Sequence, residues 1–466
     1  MSAKKIYIKT YGCQMNVYDS ERMQDMMTNI GYQISDEVSD SDLVIINTCH
    51  IREKASEKLF SDLGRILPHK KEKAKNGEQM IVAVAGCVAQ AEGEEIFRRA
   101  PVVDIIVGPE SYQNLPDLVA KVIRDKTPQI NLKFDANKKF DQIIYQENSG
   151  KSSAFLTIQE GCDKFCSFCV VPYTRGAEYS RDIEPILQEV EILANNGASE
   201  VYLLGQNVNA FRGKNKAGEP YDLAKLIADI AKNPKITRIR YTTSHPRDMS
   251  SSLIDAHKNI SKLMPFLHLP VQSGSNSILK AMNRKHDRSE YFSTIENLRL
   301  ARPDIGLSSD FIVGFPGETD EDFADTIDLV KKIGFTQCYS FKYSPRPGTP
   351  AADAKNQVPE HIKEQRLEIL QQLLSEQQIA FNQKFEGKNM AVLFEKESPK
   401  SKKQNQEQQQ NGLIQLWGKS PWLQSVVLEV PEQDAVKYLG RVVEVHIKKS
   451  RPSSLVAVLA NNLTAN

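Results

Sequence analysis

Three of the chain's seven cysteines fall in one short stretch, Cys162-x3-Cys166-x2-Cys169, close enough for three thiolates to converge on one centre. A structural zinc site takes four ligands, commonly from paired knuckles, and no fourth ligand stands nearby. A 4Fe-4S cube held by three cysteines leaves one iron open for another ligand. The spacing therefore favours the cube, with a zinc loop or a set of buried thiols as the alternative.

Three further cysteines share a different device. The β-rich runs Lys5–Thr10, Leu43–Thr48 and 80–85 each stop within about three residues of a cysteine, namely Cys13, Cys49 and Cys87. Helix-like segments at 20–31 and 52–67 separate them, giving the order βαβαβ. That order predicts a parallel sheet with right-handed crossovers, and open parallel sheets bind ligands beyond the carboxyl ends of their strands. The three cysteines are thus expected on one rim, as a second three-thiolate site. A strand at 103–108 continues the sheet, and the polar, irregular residues 126–150 read as a linker or an edge element.

The elements that must position the first cysteine set lie between about residues 152 and 382. Strands are expected at 154–159, 200–205, 238–243, 266–271, 307–314 and 337–344, alternating with helices at 183–196, 223–233, 251–259, 288–302 and 320–333. Six units are too few for a closed eightfold barrel, so a partial β/α barrel is predicted, with its active face at the strand carboxyl ends. Cys162 follows the first strand. Gly205-Gln206-Asn207, the 243–247 turn with Ser244, the 272–275 turn with Gln272 and the 314–318 turn follow others. Glycines there allow a cofactor close to the backbone; ordinary βα turns are the competing reading. His245 and His268 are read as hydrogen-bonded structural histidines, Glu318 as a helix-start residue and Cys338 as packing.

After a helix at 359–385, five short strands at 390–394, 413–416, 426–430, 441–447 and 455–459 read as a small β-barrel. From Phe381 onward twelve Lys and Arg stand against eight Asp and Glu, a modest surplus for phosphate contact. The Lys-, Gln- and Ser-rich insert 396–412 reads as a loop. The chain's 466 residues suggest about three domains, and its net charge of +1 confines any nucleic-acid surface to a local patch. No apolar run is long enough to cross a bilayer, and the odd cysteine count argues for metal binding in a reducing compartment rather than a disulfide framework. A cytoplasmic location is expected.

The run Val170-Val171-Pro172-Tyr173-Thr174-Arg175-Gly176-Ala177-Glu178-Tyr179-Ser180-Arg181 carries a sharper signal. With Thr10-Tyr11-Gly12-Cys13-Gln14-Met15-Asn16, Asn47-Thr48-Cys49, Ala85-Gly86-Cys87, Thr243-Ser244-His245-Pro246 and 268–274, it resembles the radical S-adenosylmethionine (SAM) methylthiotransferases along nearly the whole chain. The likeness is strongest to the branch that acts on isopentenyladenosine in tRNA. It implies an α/β architecture in three parts: a Rossmann-like domain at 1–125, a radical-SAM core at 151–381 that is a partial (β/α)6 barrel, and an RNA-binding TRAM β-barrel at 382–462, with 126–150 as linker.

The same resemblance implies two 4Fe-4S clusters. Cys162, Cys166 and Cys169 would ligate the one that chelates SAM, and Cys13, Cys49 and Cys87 an auxiliary one that delivers sulfur. Phe168, Gly205, Gln206, Asn207, Ser244 and Gln272 are the candidate SAM contacts, and two SAM would be used per turnover. The expected partners are a tRNA anticodon stem-loop and an electron donor such as flavodoxin, with the sulfur donor left open and the protein a monomer. Arg175 and Arg181 are candidates for flanking phosphates, against ordinary ion pairs. Other targets in view are threonylcarbamoyladenosine in tRNA and a ribosomal-protein aspartate; a non-catalytic, zinc-bound RNA-binding module is the reading from another class.

Overall fold

The computed structural model describes residues 3–50, 55–134, 150–398 and 412–460. Most of the 126–150 segment and of the 396–412 insert therefore lies outside the described residues. The N-terminal part is a six-stranded sheet in the order Gln33–Ile34, Lys5–Thr10, Leu43–Thr48, Ile81–Gly86, Ile105–Val107, Gln129–Asn131, all parallel. The two central strands are buried at every residue. Ile45 and Ala83 face one apolar layer while Val44, Ile46, Val82 and Val84 face the other, which is why these runs are apolar throughout rather than alternating. The two outer strands escape a pattern search because they are two and three residues long. One of them, Gln129–Asn131, bears out the edge-element reading: 126–150 begins as a sheet edge. The helix Ala55–Lys75 also outruns its expected end by continuing through Pro68, held beyond it by Lys70 on Asp104 and Lys73 on Asp42.

The middle part is the expected open barrel of six parallel strands. It is built as two three-stranded sheets, Ser153–Thr157, Glu200–Leu204 and Arg238–Thr242, then Phe266–His268, Gly306–Val313 and Gln337–Lys342. An isolated bridge between Ile239 and Leu263 is the seam between the sheets. Alternate residues such as Val201, Leu203, Ile239 and Tyr241 pack outward on the helices in one large core. Their neighbours, including Glu200, Tyr202 and Arg240, line the lumen.

The C-terminal part is a closed five-stranded barrel. Its attachment was not foreseen. Arg238 donates to the carbonyls of Lys419 and Ala391, and Arg240 to those of Pro421 and Ser420, at 2.8–3.0 Å. Arg240 also pairs with Glu200. All three charged residues are buried. A turn of the small barrel is thus stoppered into the strand-start end of the large one, and Leu423 at its tip packs with Met15, Tyr18, Tyr202 and Leu204. Among the described residues no helix is long and apolar enough to cross a membrane.

Candidate active site

Each cysteine set is brought together by a glycine that a larger residue could not replace. Gly12 precedes Cys13 at φ +121°, and a Cβ there would stand 2.2 Å from Cys49 Cβ. Gly161 precedes Cys162 at φ +69°, where a Cβ would fall 1.9 Å from the Ala177 carbonyl oxygen. Such backbone suits glycine alone.

Cys13 is the N-cap of the helix Gln14–Asn29 and Cys87 the first residue of the helix Cys87–Glu92, while Cys49 follows the strand Leu43–Thr48 directly. The rim expected from the βαβαβ order is therefore real. Cys49 hydrogen-bonds both partners, which brings Cys13 down to about 7 and Cys87 to about 6 while its own pKa rises. The Arg175 guanidinium lowers Cys13 and Cys87 further, and helix N-termini favour thiolates in the same sense. In the 162–169 loop the balance is opposite: burial pushes Cys162 up to about 11 and Cys169 to about 12.

All six cysteines open onto one cavity of about 240 Å³, between the N-terminal sheet and the barrel's strand-end face. No disulfide joins any of them. Among the described residues no group of three or more His, Cys, Asp or Glu side chains closes on a single metal ion; a four-iron cube takes its thiolates at its corners, further apart than the ligands of one ion.

Polar groups complete the wall. Asn207 takes Gln159 Oε1 on its backbone N–H at 3.1 Å and donates its amide to Asp248 at 2.8 Å; Asp248 also pairs with Lys164 of the cysteine loop. Gly205 lies so close to Gln159 that a Cβ would stand 2.4 Å from its Oε1. Gln206 donates to Met15 Sδ. Yet Gln206 Oε1, Asn207 Oδ1, Ser244 Oγ, His245 Nε2 and Gln272 Oε1 are buried, line the cavity and have no hydrogen-bond partner among the described residues. Buried polar atoms are nearly always satisfied, so five orphans around one space fit a polar ligand such as SAM. Thr243 and Gln272 also hold left-handed backbone at φ +68° and +79°, strain of the sort that collects at binding sites. Phe168 stands edge-on to Phe315 at 6.5 Å, at the apolar end of the cavity.

Two further residues join the wall. His245 is the hydrogen-bonded turn histidine expected, accepting from Arg247 N–H at its Nδ1, and it also borders the cavity, kept neutral by burial and by the adjacent Arg284 and His286. Arg284 donates to Cys166 Sγ at 3.5 Å and to the Pro270 carbonyl. No motif marks it; only the fold carries it under the cysteine loop.

Arg175 and Arg181 need correction as phosphate contacts. Arg175 is 4 % exposed and bonds Asp19 at 2.7 Å and Glu160 at 3.2 Å; Arg181 is 3 % exposed, pairs with Glu189 at 2.8 Å and donates to the Thr157 carbonyl. A buried guanidinium matched by carboxylates has no face left for RNA. Glu318 is likewise internal, accepting from Gly314 N–H and pairing with Arg366, and His268 bonds Ser308 as expected of a structural histidine.

Comparison with known proteins agrees with this geometry. Residues 5–108 match the uncharacterized protein family UPF0004, and residues 156–330 the radical SAM superfamily. The curated tRNA-2-methylthio-N(6)-dimethylallyladenosine synthase of Rickettsia canadensis is 56 % identical over 97 % of this chain and 98 % of its own length. Its counterpart in Rickettsia prowazekii is 54 % identical over 97 % and 99 %. Among solved structures, the radical S-adenosylmethionine methyltransferase TsrM from Kitasatospora setae, with cobalamin and a 4Fe-4S cluster bound, superposes with a TM-score of 0.56 at 12 % identity over 76 % of this chain and 74 % of that one, a likeness of fold alone. The chain belongs to the radical SAM superfamily, whose members use a 4Fe-4S cluster and SAM, and within it to the family of the tRNA-2-methylthio-N(6)-dimethylallyladenosine synthases.

Proposed function

We propose that this protein attaches a methylthio group to carbon 2 of N6-dimethylallyladenosine (isopentenyladenosine) beside the anticodon of tRNA. The observation that carries the reading is the single cavity faced by two cysteine triads, with orphaned polar atoms between them. An adenine carbon bearing only hydrogen does not react with a thiolate, and no protein side chain makes a radical able to break that bond, so the hard step falls to cofactors. When bound, SAM at a cluster on Cys162, Cys166 and Cys169 supplies the radical, a second cluster on Cys13, Cys49 and Cys87 supplies sulfur, and a second SAM supplies the methyl group.

The chain's own work is positioning. Ser244, Gln272, Asn207 and Gln206 offer buried oxygens that suit the ammonium and ribose hydroxyls of SAM, and His245, held neutral, offers one ring nitrogen. Phe168 supplies an apolar wall for the adenine. The target base must leave its stack to reach the cavity, which unpaired anticodon-loop bases do at low cost. The C-terminal barrel holds the RNA by its phosphates, and an external one-electron donor of the flavodoxin type reduces the first cluster. We take the working form to be a cytoplasmic monomer.

The test is anaerobic reconstitution followed by nucleoside mass spectrometry of a dimethylallylated anticodon stem-loop. The methylthio product, two clusters' worth of iron and two SAM consumed per product are expected. Iron for one cluster only, or zinc in either triad, overturns the reading.

A further inference from the structure

The barrel's last strand carries a surface that the cofactor site does not use. On Gln337–Lys342 the outward residues are accounted for: Cys338 packs on the helical core, and Lys342 pairs with Glu360 and Glu364 of the helix Glu360–Gln383. The intervening Tyr339 and Phe341 must then face the lumen. Register agrees, since Tyr339 lies beside Asp310 and Phe341 beside Ile312 on the neighbouring strand, and Asp310 lines the cavity. The Tyr339 ring also stands edge-on to lumen-facing His268 at 6.1 Å. Two large rings inside a barrel would normally be buried, yet Tyr339 is 50 % and Phe341 49 % exposed. They border open space at the barrel's free edge. This apolar strip is continuous with the cavity, because Ile312 packs into the same small cluster as Phe168 and Phe315.

We propose that Tyr339 and Phe341 form the specificity surface that receives the apolar N6 substituent of the substrate adenosine. The inference rests on the function proposed above. A surface of half-exposed aromatic carbon beside a polar cofactor cavity suits a branched alkenyl group, the part of the relatives' named product that is neither base nor sugar. Such a group loses water-exposed apolar area on contact, whereas an unmodified amino group would leave the rings as they are. His268 and Asp310 set the polar limit of the strip, near where the base edge would stop.

The test compares dimethylallylated and unmodified anticodon stem-loops on reconstituted full-length protein, by equilibrium binding and by kcat/KM. Wild type prefers the dimethylallylated RNA. In the double variant Tyr339→Ala/Phe341→Ala the preference falls roughly tenfold or more in both measurements, the scale on which apolar pockets discriminate. Tyr339→Phe/Phe341→Leu, which keeps the apolar surface, retains most of it. A parallel loss for both RNAs makes the rings a base-stacking platform and overturns the proposal, and so does an unchanged preference. If wild type itself shows no methylthio product with either RNA, the failure lies in the proposed function.

Discussion

The two cysteine triads reach one cavity by opposite routes. One is collected from three strand ends of a parallel sheet, each cysteine set by a different βα unit. The other is a single eight-residue loop, shaped by left-handed Gly161 and Phe165 and braced from below by Arg284 and by the Met282 and Ala281 carbonyls on Ser167. The first is a property of a fold; the second is a property of a sequence. Their electrostatics differ accordingly: hydrogen bonds from Cys49 and the charge of Arg175 lower Cys13 and Cys87 at the expense of Cys49, while burial raises Cys162 and Cys169 in the loop. Arg175 belongs to both, following the loop in sequence while charging the sheet-end thiols in space.

The largest test of this division removes each triad. Replacing Cys162, Cys166 and Cys169 by Ala should abolish both 5′-deoxyadenosine and methylthio product, whereas replacing Cys13, Cys49 and Cys87 should abolish only the product; chromatography of both species from each variant decides it. Methylthiolation by the second variant would break the comparison.

A smaller effect is expected at the shared residue. Arg175→Met leaves Asp19 and Glu160 buried without their cation, at a cost of about 3–5 kcal/mol in urea unfolding. Iron should be lost first from the sheet-end triad, whose thiols lose a neighbouring charge. Equal loss from both triads would mean that Arg175 serves the scaffold only.

Gly12→Ala and Gly161→Ala come next, each adding to about 1–3 kcal/mol of backbone strain the overlap of its new Cβ with Cys49 or with the Ala177 carbonyl. Each should lower the iron of its own set and spare the other, as read by iron content and by cluster spectra. Smallest is the effect on RNA. Replacing exposed Lys448, Lys449 and Arg451 by Ala should leave both triads' iron unchanged. It should flatten the log–log salt dependence of tRNA binding by about 0.7–0.9 for each phosphate that is no longer neutralised.

The loop triad was legible from spacing because its ligands are neighbours in sequence. The sheet-end triad was legible because parallel topology sends all strand ends to one side, so three distant cysteines needed only the element order. Gln206, Asn207, Ser244 and Gln272 were named from their places after strand ends together with the family resemblance, and the fold brings all four to the cavity. What sequence could not separate was a cation facing solvent from one facing carboxylates: Arg175 and Arg181 lie in a polar run, and their partners Asp19 and Glu160, and Glu189, come from elsewhere in the fold. Arg284 escaped because no motif marks it, and the cavity position of His245 because nothing local separates a cavity residue from a turn residue. The short edge strands escaped because two or three residues carry no period.

The turn wedged beneath the barrel makes the C-terminal domain a cork as well as an arm. Exchanging that domain for another module would strip Arg238 and Arg240 of four backbone carbonyls and leave two guanidinium groups, with one glutamate between them, facing an empty lumen. Leu423 would vanish from beneath Met15, which borders the cysteine cavity. A transplanted module would have to bring its own stopper, and the C-terminal barrel is therefore geared to the floor of the cysteine cavity.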